Sequence, residues 1–170
     1  MGTRQTAVVS IGLLIGALTS GCGQRIEQNS ALGISPAFQV AAARLHQFIG
    51  EQLAQSKDQA TFDTRLTQAR KQFSELRLTA KTDSDRHVML LLALEMKKDN
   101  QRKRILFQTS DVNYVSVQHE VASLYNEREQ CRGEIDGWLG NGGNVGALSS
   151  GPCLTEARQA VAVLTQFATR

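Results

Sequence analysis

Few side chains in the sequence have the types and spacing that catalysis or metal binding requires. His119 is followed by Glu120, but the second histidine that a zinc-protease helix carries four residues after the first is missing. Asp83, Asp85 and His87 alternate in one short stretch, where the two acids fit the first turn of a helix and its positive dipole end. We therefore expect no enzyme, no metal site and no cofactor.

The N-terminus has the three parts of an export signal. Arg4 supplies a positive charge, residues 7–18 form an apolar run, and residues 19–21 are small. The stretch Leu18-Thr19-Ser20-Gly21-Cys22 resembles the lipobox of bacterial lipoproteins. The resemblance implies a diacylglyceryl group on the Cys22 thiol, cleavage between Gly21 and Cys22, and acylation of the new amine. The alternative is a simple secreted protein or an uncleaved signal anchor.

The same resemblance bears on localisation. It implies a membrane attachment through the lipids on Cys22, with the rest of the chain facing the periplasm. Gly23 stands where enterobacterial lipoproteins that stay in the inner membrane carry an aspartate. The outer membrane is therefore the expected location.

The sequence contains three cysteines, an odd number that needs an explanation in an exported protein. If Cys22 is acylated, Cys131 and Cys153 remain as a pair in an oxidising compartment. A disulfide between them would close a loop of 23 residues and, in the chain-entropy model, contribute about 3 kcal/mol. The alternative is a redox pair or a metal-binding pair. The indication of a zinc site is weak, because no histidine lies at ligand spacing.

A basic cluster lies between residues 97 and 104, with five positive side chains in eight positions. One interpretation is a solvated helix face. The other is a contact surface for acidic lipid headgroups or an acidic partner, because a basic residue near a charged membrane contributes about 1 kcal/mol. The five candidate contact residues are Lys97, Lys98, Arg102, Lys103 and Arg104.

The elements that position these residues are predicted to be helices. Ser35 and Pro36 mark the start of the first helix, Asp58 caps the second, Thr82 to Asp85 begins the third, and Ser110 or Asp111 caps the fourth. Residues 88–94 of the third helix are apolar on nearly all sides, which predicts a central position. Gly140 ends the fourth helix, and a glycine-rich connector leads to the last one.

The fourth and last helices have clear apolar stripes at three- and four-residue steps. The predicted stripe of the fourth helix consists of Tyr114, Val117, Val121, Leu124, Arg128, Cys131, Ile135 and Trp138. That of the last helix consists of Leu154, Ala157, Val161, Leu164 and Ala168. We expect an all-α bundle of about five helices with one disulfide, preceded by a cleaved signal peptide and a flexible tether.

The domain division follows from these signals: 1–21 is a lipoprotein signal peptide, 22–35 the lipidated N-terminus and tether, and 36–170 a helical domain. Because Arg4 is the charged side chain of the signal, the remainder keeps 18 of the 19 Lys and Arg residues against 16 Asp and Glu. This near-neutral balance does not indicate a nucleic-acid partner.

These features favour a membrane-anchored periplasmic lipoprotein that acts by protein–protein contact, as a scaffold or accessory subunit of an envelope assembly. Two alternatives stay open at this point. One is a periplasmic inhibitor or immunity-type protein that blocks an envelope-acting enzyme or an incoming element. The other is a binder of an apolar small ligand between helices.

Overall fold

The computed structural model describes residues 33–109, 115–140 and 151–170. These ranges contain six α-helices and no strand. A π-helical turn, Ile49–Leu53, continues the first helix. The helices are α1 (Pro36–Phe48), α2 (Gln59–Arg77), α3 (Asp83–Gln108), α4 (Val115–Gly140), α5 (Pro152–Gln159) and α6 (Val161–Thr169). The all-helical prediction is confirmed, whereas the predicted signal peptide, lipobox and most of the tether lie outside the described residues.

Three of the predicted helix starts are confirmed, and two of them have capping contacts. The Asp58 side chain accepts a hydrogen bond from the Thr61 backbone N–H at the start of α2. Thr82 and Asp85 form a reciprocal capping box at the start of α3. Ser35 occupies the N-cap position of α1, but its side chain makes no cap hydrogen bond there. The predicted caps Ser110 and Asp111 lie outside the described residues.

Helix α3 is the centre of the fold, as its apolar N-terminal half predicts. It packs against every other helix and against the π-helical turn. Residues 91–96 are all buried, including Glu95, so this turn and a half has no solvent-facing side. The core around it comes from all six helices, with Phe38, Phe62 and Trp138 among its largest fully buried side chains.

The apolar stripe of α4 is buried over only part of its length. Its C-terminal half follows the prediction, with Cys131, Ile135 and Trp138 fully buried. Residues 115–127 contain no fully buried side chain, and Val121 and Leu124 are half-buried. The expectation that the whole stripe belongs to the core is therefore wrong for these residues, because few of the described elements pack around this half of α4.

The predicted last helix is two helices. The backbone of Ala160 leaves the helical region, with φ −100° and ψ 13°, and separates α5 from α6. The break allows α5 to pack on α3 and α4, whereas α6 packs on α2 and α3. Val161, predicted on the core stripe, is exposed, while Leu164 and Ala168 are buried.

Candidate partner-binding surface

The basic cluster is not the open patch that the sequence predicts, because Lys98 is buried. Its Nζ donates to Glu127 Oε2 at 2.7 Å and to Glu156 Oε1 at 2.9 Å. These two carboxylates belong to α4 and α5, so one ammonium group joins three helices. Burial disfavours the charged form of Lys98 and lowers its pKa. The Glu127 and Glu156 carboxylates favour the charged form more strongly, so the pKa of Lys98 is raised.

Lys103 is also buried, on another side of α3. Its Nζ donates to the Ser56 carbonyl at 2.6 Å and lies 5.7 Å from the centre of the Phe107 ring. Burial and the neighbouring Arg102 lower the pKa of Lys103. Arg104 and Lys97 are both half-buried, and Arg104 pairs with Asp63 at 2.6 Å. The expected exposure is thus wrong for Lys98 and Lys103, because Lys98 reaches carboxylates on two neighbouring helices and Lys103 reaches the segment that precedes α2.

Arg128, the charged residue in the apolar stripe of α4, belongs to a row of buried ionic groups between α1, α3 and α4. This charged seam consists of His46, Glu95, Asp99, Arg128 and Arg132. Arg128 Nε donates to Asp99 Oδ2 at 3.0 Å, and Arg132 Nη1 donates to Glu95 Oε1 at 2.5 Å. Both carboxylates are completely buried. Burial raises the pKa of Asp99, although the Arg128 and Arg102 guanidinium groups act against this rise.

His46 connects α1 to the same seam. Its Nδ1 lies 3.0 Å from Glu95 Oε2, and its Nε2 lies 3.0 Å from Asp136 Oδ1. The Arg132 guanidinium also approaches Gly50 so closely that a Cβ there would lie 2.6 Å from its central carbon. The seam therefore fixes the register of α1 against α3 and α4.

A groove between α3 and α4 borders the seam at Arg102. Its volume is about 300 Å³, and it lies on the half of α4 that lacks buried side chains. The Arg102 guanidinium lies 5.6 Å from the centre of the Tyr125 ring, within cation–π range. The groove is lined by Arg102, Leu106, Gln118, Val121, Ala122, Tyr125 and Asn126.

The Arg102 side chain gives the groove a positive charge that is only partly compensated. Its Nη2 donates to Asp99 Oδ1 at 3.1 Å and to the Ala54 carbonyl at 3.3 Å. Asp99 also pairs with Arg128, so two guanidinium groups share this carboxylate. Within the described parts of the chain, the buried Nε of Arg102 has no hydrogen-bond partner.

Cys131 and Cys153 lie at disulfide distance, with their Cα atoms 5.5 Å apart. The Glu134 carboxylate supports the same junction, accepting hydrogen bonds from the backbone N–H groups of Cys153 at 2.9 Å and Leu154 at 3.0 Å. A Cβ at Gly151 would lie 2.5 Å from the Glu134 carboxyl carbon, so a larger residue here would have to displace this carboxylate from the start of α5. Together these contacts attach the start of α5 to α4.

The other residues considered as metal ligands from the sequence have structural roles. Asp85 serves the α3 cap, and Asp83 pairs with Arg86 on the surface at 2.6 Å. His87 packs edge-on against Trp138, with ring centres 5.4 Å apart. Across the described ranges, no three His, Cys, Asp or Glu side chains are grouped so that they could hold a metal ion. Cys22 lies outside these ranges.

Comparisons with known proteins found no match: no family model, no curated protein and no solved structure is detectably similar. None of the helices in the described parts of the chain has the length and apolar character needed to cross a membrane.

Proposed function

We propose that the protein is a lipid-anchored accessory or scaffold protein of the cell envelope, which faces the periplasm and binds a protein partner in the groove between α3 and α4. The observation that carries this proposal is the N-terminal part of the apolar stripe of α4, where no stripe side chain is fully buried. Val121 belongs to the stripe and is half-buried, and Tyr125 adjoins it and is 46% exposed, so the described residues do not fully cover either side chain. Apolar surface beside a single cation is typical of a protein interface.

The residues of the groove suggest which chemistry the partner has. Tyr125 and Arg102 are residue types that often dominate binding energy at interfaces. Arg102 shares its carboxylate partner with Arg128, so a further carboxylate would be favourable beside it. The expected partner therefore inserts apolar side chains near Val121 and places an acidic side chain at Arg102.

The cysteines support the proposed anchor. Cys131 and Cys153 are close enough to pair, so Cys22 is the odd cysteine and stands directly after Gly21 in the lipobox-like stretch. Several acyl chains on one residue hold a protein stably at a membrane, whereas a single chain holds it weakly. Outer-membrane sorting is the expected outcome and can be measured by membrane fractionation.

Site-specific photocrosslinking in the producing organism tests the partner proposal. A photoreactive residue at Tyr125 should give a discrete crosslinked species, and Val163 on α6 is a matched control because the two side chains are 46% and 53% exposed. Ala122→Glu, which places a charge in the groove, should abolish the Tyr125 product while the protein stays folded. If Tyr125 gives no product, or Val163 gives the same one, the groove is not the binding surface.

A further inference from the structure

The buried Asp85 carboxylate holds the start of the described chain against the turn between α2 and α3. It accepts hydrogen bonds from Ser35 through the backbone N–H at 3.0 Å and the hydroxyl at 2.9 Å. It also accepts them from the backbone N–H groups of Lys81 at 2.8 Å and Thr82 at 3.0 Å. The place where the chain arrives from Cys22 is therefore fixed beside this turn.

The turn, Arg77 to Lys81, presents an apolar side chain between two cations. Leu78 is 85% exposed, more than the other large apolar side chains among the described residues. Arg77 and Lys81 are both exposed, and the turn contains no acidic residue. Glu75, on the last turn of α2, partly offsets the positive charge of Arg77 and Lys81. A single exposed leucine is ordinary, so the significance of Leu78 depends on where the turn lies.

The length of chain before Ser35 sets how far this turn can lie from an anchor. Ten residues, 23–32, separate Cys22 from the described chain, and ten residues with the statistics of a flexible chain would reach about 17 Å. Helix α3 has 26 residues, or about 39 Å of length. It starts beside Ser35 and ends beyond the groove residue Leu106. A tether shorter than the helix favours an orientation with the turn toward the membrane and the groove away from it.

We propose that the Arg77–Lys81 turn docks on the lipid surface, with Leu78 entering the headgroup layer and the two cations contacting anionic lipid phosphates. This inference rests on the proposed acylation of Cys22. Leucine at an interface gains from leaving water, and flanking basic side chains bury their stems while their charges reach the phosphates. The docking orients the domain so that the α3–α4 groove points into the periplasm.

The test uses the full acylated protein in vesicles of phosphatidylethanolamine and phosphatidylglycerol. An environment-sensitive fluorophore is attached at Leu78→Cys, which is the one free thiol if Cys22 is acylated and the other two cysteines are paired. Val115→Cys is the matched control, because Val115 is 80% exposed and begins α4 at the far end of the bundle. The Leu78 probe should shift to the blue and be quenched by spin-labelled lipids, and the Val115 probe should do neither.

Neutralising the turn by Arg77→Gln and Lys81→Gln should lower the ratio of docked to undocked domain by about fivefold for each charge. Flotation of the vesicles separates the two proposals. If the protein floats but the Leu78 probe reports water, or if Val115 is equally quenched, the docked turn is wrong and the anchor stands. If the protein does not float, the anchor and the docking inference both fail.

Discussion

Replacing Arg128 by Met would remove one cation of the charged seam while keeping most of the side-chain volume. Arg128 is 4% exposed and pairs with the completely buried Asp99. Removing one partner of a buried ion pair costs about 3–5 kcal/mol, because the other charge stays in a medium that solvates it poorly. This is a large part of the roughly 5–15 kcal/mol by which a domain is stable.

The cost of Arg128→Met should depend on pH. Burial already raises the pKa of Asp99 above its ordinary value of 3.8, and loss of Arg128 should raise it further. The folded variant then binds a proton more tightly than the unfolded chain does, so its stability falls as pH rises from about 4 through the raised folded-state pKa. The difference from the wild type should therefore be larger at pH 7 than at pH 4.5.

Urea denaturation at both pH values measures this difference. Arg86→Met is the matched control, since the Arg86–Asp83 pair has the same residue types on the surface and should contribute at most about 1 kcal/mol. Adding Asp99→Leu to Arg128→Met should restore part of the lost stability, because the buried carboxylate that keeps only Arg102 as its partner is then gone. If Arg128→Met costs no more than Arg86→Met, or if the double variant is less stable than the single one, the reasoning about the seam is refuted.

Three further predictions concern the helix junctions. Lys98→Glu should lower the free energy of unfolding by at least about 2 kcal/mol in urea titrations. Lys97→Glu, at a half-buried position next to it, should change this free energy by less than about 0.5 kcal/mol. Equal effects would contradict the buried position of Lys98. Gly151→Ala should cost about 1–2 kcal/mol by displacing the carboxylate that caps α5, whereas Gly133→Ala, with open space at its Cβ inside α4, should gain about 0.5–1 kcal/mol. Cys131→Ser should cost about 3 kcal/mol, and two thiols that alkylate freely in denatured, unreduced protein would show that the pair is not bonded.

The sequence predicts the helices well where a local signal marks them. Thr82 and Asp85 form their capping box from neighbouring positions, so no distant contact is needed to recognise it. The apolar residues around Leu91 predict a central helix for a similar reason, since a helix that is apolar on all sides has to be buried. Two cysteines remain once Cys22 is set apart, and this even number predicts that Cys131 and Cys153 lie close together, as they do.

The charged seam and the groove could not be predicted in the same way. Lys98 and Lys97 are neighbours of the same type, and only the positions of α4 and α5 decide that Lys98 is buried between two carboxylates. Arg128 interrupts an apolar stripe, which was a usable signal, but its partner Asp99 lies 29 residues away on another helix. The break at Ala160 carries no glycine or proline, so no residue type marks it.

Labelling with a fatty acid, followed by mass spectrometry of the mature protein from the cell envelope, tests the central claim most directly. The account predicts an N-terminal peptide that begins at an acylated Cys22, together with a linked peptide containing Cys131 and Cys153. Cys22→Ser should incorporate no label and keep residues 1–21. Label that persists in Cys22→Ser, or a wild-type protein with an unmodified Cys22, would contradict the anchor on which the proposed function depends.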